Sequence, residues 1–174
     1  AKRAGAQYAE LAEITLSIIW KEVIFEFAKK FGPEPGNGAA VISMGSLGSG
    51  VLHANSDLDL IIIYDADGND QSEGDRSLSA RQYYSRLTKA FITAISAPMT
   101  EGRLYEIDMR LRPSGFQGPV ATSWSSYQNY QKNEAWVWEH LALTRARAVA
   151  GKVFLLNEFE NFRNSILKSY HREN

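Results

Sequence analysis

Gly45-Ser46-Leu47-Gly48-Ser49-Gly50, followed shortly by Ser56-Asp57-Leu58-Asp59-Leu60-Ile61-Ile62-Ile63-Tyr64, is the stretch that decides how this chain is read. The second run reads as a strand opening with carboxylates at i and i+2. Strand side chains alternate between faces, so Asp57 and Asp59 share one face and Leu58 and Leu60 the other. Close like charges repel, and a divalent cation is what usually makes them tolerable. A small-residue loop with exposed backbone N–H groups just upstream is suited to hold phosphate. Metal-binding carboxylates beside a phosphate cradle form the apparatus of nucleotidyl transfer. Alone, an Asp-x-Asp pair is a weak signal, and its plainer reading is an edge-strand face or a turn. The unbroken apolar run behind it argues instead for a central strand covered on both faces, where carboxylates need a reason. The hexamer lacks the Lys-Ser/Thr ending of a P-loop and lies between two predicted strands. What remains is a backbone cradle, with Gly45 in it and Ser46 able to hydrogen-bond a phosphate oxygen.

Outward from this stretch, Ala39–Met44 reads as a buried strand entering the loop. Before it, apolar residues recur at helical spacing from Gln7 to Phe31, with Leu11, Ile14, Ile18, Ile19, Val23, Phe27 and Phe31 as one wide stripe. Gly32-Pro33-Glu34-Pro35-Gly36 ends that helix. After Tyr64 comes a polar loop to Leu78, then a helix capped by Ser79, carrying Tyr83, Tyr84, Leu87, Phe91, Ile92 and Ile95 and stopped by Pro98. Leu104–Leu111 alternates as a strand, with Glu106, Asp108, Arg110 and Arg112 on its charged face. Asp108 is the natural third carboxylate, and Glu106 is a second-line candidate. Pairing of Asp108 with Arg110 or Arg112 is the competing role, compatible with the first because an arginine beside a metal site can also bind triphosphate.

Beyond the turn-rich Pro113–Pro119 loop, helices are expected at about Ser123–Lys132, Asn133–Ala148 and Lys152–Tyr170. Their Trp124, Tyr127, Tyr130, Trp136 and Trp138 read as core against the sheet rather than a base-stacking platform. Arg145 and Arg147 read as surface charges near a helix C-terminus, and Glu139 and His140 as structural. The expected division is residues 1–38 as N-terminal helix and linker, 39–122 as the core, and 123–174 as a helical extension packed on it, one domain overall.

Composition sets the outer bounds. The 174 residues carry 19 basic and 20 acidic side chains, a net charge of −1, which gives no support to a nucleic-acid partner held by bulk electrostatics. There is no cysteine, which excludes disulfides and thiolate metal sites and fits a cytoplasmic protein. No long uncharged apolar run offers a membrane span. The start, Ala1-Lys2-Arg3-Ala4-Gly5, lacks an initiating Met and a signal pattern, so the chain reads as a piece of something longer.

Three segments resemble one family, the adenylyltransferases that modify glutamine synthetase: VISMGSLGSGVLHANSDLDLIIIYD, LYEIDMRLRPSGFQGPVATS and EAWVWEHLALTRARAVAG. The first motif is shared by the polymerase-beta-like nucleotidyltransferases at large; the other two are far more specific. The resemblance implies an α+β fold of the polymerase-beta-like nucleotidyltransferase type, a mixed sheet flanked by helices, with an N-terminal helix and C-terminal helices. Such enzymes are long and bifunctional, one half attaching AMP and the other removing it by phosphorolysis; the wording here is more similar to the C-terminal, attaching half. The resemblance further implies that Asp57, Asp59 and Asp108 are catalytic and bind Mg²⁺, that Gly45 and Ser46 hold the triphosphate of ATP with Arg110 assisting, and that glutamine synthetase is the protein substrate. A PII-type signalling protein and glutamine would be effectors of the full-length enzyme. Oxygen-only sites accept Mg²⁺ and Mn²⁺ alike. The rival readings are AMP removal by the same fold, transfer to a small molecule such as an aminoglycoside, and a non-catalytic nucleotide-binding regulatory module. The third carboxylate argues against the last.

Overall fold

The computed structural model describes residues 2–169. The chain forms α1 (Lys2–Phe31), β1 (Gly38–Ser43), α2 (Gly45–Gly48), β2 (Leu58–Asp65), α3 (Ala80–Ser96), β3 (Ile107–Asp108), β4 (Ala121–Ser123), α4 (Trp124–Asn133), α5 (Val137–Leu143), β5 (Arg147–Gly151) and α6 (Val153–Ser169). The expected helix end at Tyr170 and the expected chain start at Ala1 lie outside the described residues. The architecture is α+β: a five-stranded mixed sheet flanked by helices.

β2 lies at the centre. It pairs antiparallel with β1, which pairs antiparallel with β5. On its other edge β2 pairs parallel with β3 at its start and with β4 toward its end. Both β1 and the middle of β2 are buried on both faces, as the continuous apolar run requires. Alternation divides their side chains into two cores. Ala39, Val41, Leu58, Leu60, Ile62 and Tyr64 pack with α1 and α3. Ala40, Ile42, Ile61 and Ile63 pack with the layer of α4, α5 and α6. Asp59, one step before Leu60 and two before Ile61, therefore shares the face of the α4–α6 layer.

Several local expectations change. In α1, Leu11, Ile14 and Ile18 are exposed, while Ala9, Ala12, Leu16 and Trp20 are buried. The small alanines let the helix backbone approach closely, and Trp20 fills the wider gap edge-on against Phe91, with ring centroids 4.9 Å apart. The strand expected over Leu104–Leu111 shrinks to Ile107–Asp108, because the chain turns at once behind it: Arg112 N–H bonds the Met109 carbonyl at 3.2 Å. Glu106, Asp108, Arg110 and Arg112 thus share no continuous face. Glu106 is exposed, near Arg103, and Arg112 is buried with its guanidinium on the carbonyls of Met109 and Gly118. The helix expected to continue to Ala148 stops at Leu143, and Arg147–Gly151 forms β5, an edge strand of the sheet. The α3 expectation holds: the Ser79 side chain accepts from the Gln82 N–H, and Tyr83, Tyr84, Leu87, Phe91 and Ile95 are buried.

Candidate functional site

The parallel register of β2 and β3 sets Leu58 beside Ile107 and Asp59 beside Asp108. Residues paired across neighbouring strands point to the same face, so these two carboxylates stand side by side. Asp57, two residues before Asp59, lies just ahead of β2, which starts at Leu58 rather than at the acidic pair; it is exposed, and its charge reaches Asp59. Two residues of β3 are enough to bring Asp108 beside Asp59. The Leu58 N–H, bonded to the Glu106 carbonyl at 2.8 Å, extends the pairing by one step.

The Gly-Ser segment is seated directly on Asp59. It is not an open loop between strands but begins as a single helical turn, Gly45–Gly48. The Met44 N–H donates to the Asp59 carbonyl at 2.8 Å, anchoring the start of the turn to β2. Gly45 has φ +55°, and a Cβ there would stand 2.2 Å from Oδ2 of Asp59. Only glycine permits both the backbone conformation and the contact. Gly48 is as constrained from the other side, since a Cβ there would meet the Arg145 carbonyl at 1.8 Å. The first N–H groups of the turn have no intrahelical acceptor, and Met44 supplies no side-chain cap. Ser46 is half-buried within it.

Charge is concentrated here. Burial raises the Asp59 carboxyl above its ordinary value; the charges of Asp108 and Asp57 push it up, and those of Arg110 and Arg145 pull it down. Asp108 is held below its ordinary value, chiefly by its hydrogen bond from Arg110. Arg110 donates from Nε to Oδ2 of Asp108 at 2.6 Å, pairs with it again through Nη2, and gives its backbone N–H to Oδ1 at 2.8 Å. Among the described residues no three acidic or histidine side chains converge closely enough, as they stand, to hold a metal ion. The donor set is nonetheless all carboxylate oxygen, the chemistry of a hard divalent cation. Asp59, crowded by two like charges, is the group such a cation would relieve.

Of the two arginines expected as surface charges near a helix C-terminus, Arg145 keeps that role and Arg147 does not. Arg145 is exposed, but its charge reaches Asp59. Arg147 lies on β5, pairs with Glu13 of α1, and donates to the Leu47 carbonyl at 3.2 Å, clamping the Gly-Ser turn between α1 and β5.

Beside the carboxylates, against the same face of β2, is a cavity of about 270 Å³. Met44 and Ile61 contribute to its lining, with Arg110, Tyr127, Trp136 and Trp138. Of the aromatic residues expected in the core, Trp124 and Tyr127 are buried, whereas Trp136 and Trp138 are 71% and 61% exposed. Glu139 is structural, accepting the Trp136 N–H at 3.1 Å and the Tyr130 hydroxyl at 2.8 Å. His140 is buried, with Nε2 at 2.9 Å from the Gln131 carbonyl oxygen. Tyr127 and Gln131, both lining the cavity, went unmarked as site residues because they are distant in sequence from the acidic pair.

The model of the family "Glutamate-ammonia ligase adenylyltransferase" matches residues 4–162. A protein of Mesorhizobium japonicum named bifunctional glutamine synthetase adenylyltransferase/adenylyl-removing enzyme is 47% identical over 159 residues, covering 91% of this chain and 16% of that protein. Proteins of the same name from Brucella suis and Agrobacterium fabrum are 49% and 46% identical, over 86% and 94% of this chain and 15% and 17% of their own lengths. The chain thus spans about one sixth of the relatives it matches. With the family model covering the sheet, the Gly-Ser turn, all three carboxylates and most of α6, this chain belongs to the glutamate-ammonia ligase adenylyltransferase family.

Proposed function

We propose that this chain is a nucleotidyltransferase module that moves AMP from ATP to a tyrosine of glutamine synthetase. The observation that carries this reading is the register of Asp59 beside Asp108, with Gly45 seated on the Asp59 carboxylate. Asp57, Asp59 and Asp108 are the residues that would hold Mg²⁺ or Mn²⁺. When bound, the metal supplies neutralisation of phosphate charge and activation of the acceptor hydroxyl. The chain's own contribution is positioning and charge. The N–H groups of Gly45, Ser46 and Leu47, at the start of the turn, and the Ser46 hydroxyl donate to triphosphate oxygens. Arg110 exchanges its partner: drawn to a phosphate, it releases Asp108 toward the reacting hydroxyl. Until that exchange Asp108 is a poor proton acceptor, because Arg110 stabilises its ionised form.

The relatives' name carries a second activity, removal of AMP, and the same constellation serves phosphorolysis with inorganic phosphate in place of pyrophosphate. Similarity of the quoted segments to the attaching half favours the forward direction. The test incubates the chain with Mg²⁺, ATP labelled on the α-phosphate, glutamine and unmodified glutamine synthetase, beside an Asp57→Asn control. Label on the synthetase, absent with the control, is expected. ADP formed from adenylylated synthetase and phosphate, with no forward labelling, would reverse the direction. Undiminished transfer by the Asp57→Asn variant would remove the site assignment.

A further inference from the structure

Three features of the cavity beside the carboxylates point to what it holds. The first is its position. Arg110 belongs both to its wall and to the Asp108 ion pair. Its floor includes Ile61, two residues beyond Asp59 on the same face, and Met44, the residue before Gly45. Anything seated there lies next to whatever the carboxylates and the Gly-Ser turn hold.

The second is its aromatic character. Trp136 and Trp138 stand at the rim with most of their surface in solvent. Large aromatic side chains left open beside a cavity mark a binding surface more often than a structural one. Flat π-surfaces suit a nucleobase, for which stacking is the sequence-tolerant part of recognition.

The third is a pair of unused polar groups. The Tyr127 hydroxyl and Oε1 of Gln131 are buried with no hydrogen-bond partner among the described residues. Such groups cost about 1–3 kcal/mol each if they stay unsatisfied. The neighbouring polar groups are already engaged: Tyr130 with Glu139, and Arg112 with two carbonyls. An amide oxygen and a phenol offer an acceptor and a donor, the complement of an amino group next to a ring nitrogen. Adenine presents that pair, and a side-chain amide is its usual reader. Guanine would set its carbonyl oxygen against Gln131 Oε1. A cavity of about 270 Å³ has room for a base but not for a whole nucleoside triphosphate, which leaves the phosphates outside, toward Gly45 and Arg110.

From these observations we infer that the cavity is the adenine pocket, with Trp138 and Trp136 stacking on the base and Gln131 and Tyr127 reading its edge. This rests on the nucleotidyl-transfer reading of the adjoining carboxylates, and it holds for either direction of that reaction, since both handle an adenosine phosphate.

Titration calorimetry of the 174-residue chain in Mg²⁺ tests it, with ATP, GTP and inorganic tripolyphosphate as separate probes. The expected result is ATP preferred over GTP. Trp138→Ala should weaken ATP by about 5- to 100-fold while leaving tripolyphosphate unchanged. Trp138→Phe, which keeps a stacking ring, should restore most of the loss, and Gln131→Leu should reduce the preference over GTP. Circular dichroism of each variant checks the fold. ATP affinity unchanged in Trp138→Ala overturns the pocket while the transfer reading stands. If that variant instead loses only affinity for the protein acceptor, the cavity belongs to the acceptor tyrosine. Wild-type protein that binds neither ATP nor tripolyphosphate overturns the pocket and the transfer reading together.

Discussion

Gly45 shows how little freedom the site leaves. Its φ of +55° suits glycine, and its missing Cβ makes room for Oδ2 of Asp59. Gly45→Ala should cost about 1–2 kcal/mol of stability from the left-handed conformation alone. Because the methyl would also displace the carboxylate, AMP transfer should fall by about 100-fold; a thermal melt and the labelling assay read the two effects separately. Asp59→Asn should separate them in the opposite sense. The folded carboxyl binds its proton more readily than the unfolded one, so its ionised form weakens the fold at neutral pH. Wild-type stability should therefore gain from this group as pH falls through the raised value toward the ordinary 3.8, and the asparagine variant should lack that gain. At neutral pH the variant should be inactive yet melt no lower than wild type, the usual relation between a crowded functional site and stability. A large drop in its melting temperature would mean that Asp59 is structural. At this scale the sequence was informative in part: the i, i+2 spacing marked Asp57 and Asp59 as a pair, and although Asp57 falls just outside β2 its charge reaches Asp59. Arg145, Tyr127 and Gln131 were silent because only the fold brings them near the acidic pair.

Elements were legible where one pattern dominated and obscure where two competed. The helix at Ala80–Ser96 has a capping serine, one apolar face and a following proline, and it forms as read. Helix α1 carries apolar residues on more than one side, and periodicity cannot say which stripe is buried; the alanines decide it by allowing close approach. β3 is too short for alternation to delimit, and β5 is small and alanine-rich enough to pass for the end of a helix. The connection between α1 and β1 was read only as a helix stop, yet it is pinned. Tyr83 donates to the Gly32 carbonyl at 2.9 Å, Tyr84 to that of Pro35 at 2.5 Å, and Glu34 accepts the Ala39 N–H at 3.1 Å. Burial raises the Glu34 carboxyl, and Lys152 at 3.8 Å offsets this only in part. A raised folded value means stability declines as pH rises from the ordinary 4.5 through that value, then levels off. Glu34→Gln keeps an acceptor for Ala39 and removes the ionisation. The decline measured by melting across that window should become shallower, though not vanish, because Glu13 and Asp59 are raised in the same sense. An identical slope would relieve Glu34 of the effect.

In the whole molecule, one sheet separates two cores and feeds both: β1 and β2 alternate between them, and β5 gives Ala150 to one and Ala148 to the other. The α1/α3 side is centred on Trp20, Tyr83, Tyr84 and Phe91, and the α4–α6 side on Tyr127, Phe159 and Leu155. The carboxylates sit on the sheet, whereas most of the cavity wall comes from the α4–α6 layer and the loop after β3. The function proposed here therefore needs both layers held in one register. The continuous hydrogen bonding of β2 to β1, β3 and β4 supplies the link. Phe159→Ala tests whether that link makes the layers one cooperative unit. Phe159 is 1% exposed in the centre of the α4–α6 core, and its truncation leaves a void that the shared sheet cannot close. The cost should be about 3–5 kcal/mol, a drop in melting temperature on the order of 10 °C for a chain of this size. If the sheet couples the cores, circular dichroism and tryptophan fluorescence should follow one transition at the lowered midpoint. The indoles make this discriminating, because Trp20 reports the α1/α3 side and Trp124 the other. Two separated transitions, with the α4–α6 layer melting first, would mean that the cavity can be lost while the carboxylates stay in place. ATP recognition and metal binding would then be separable by temperature alone.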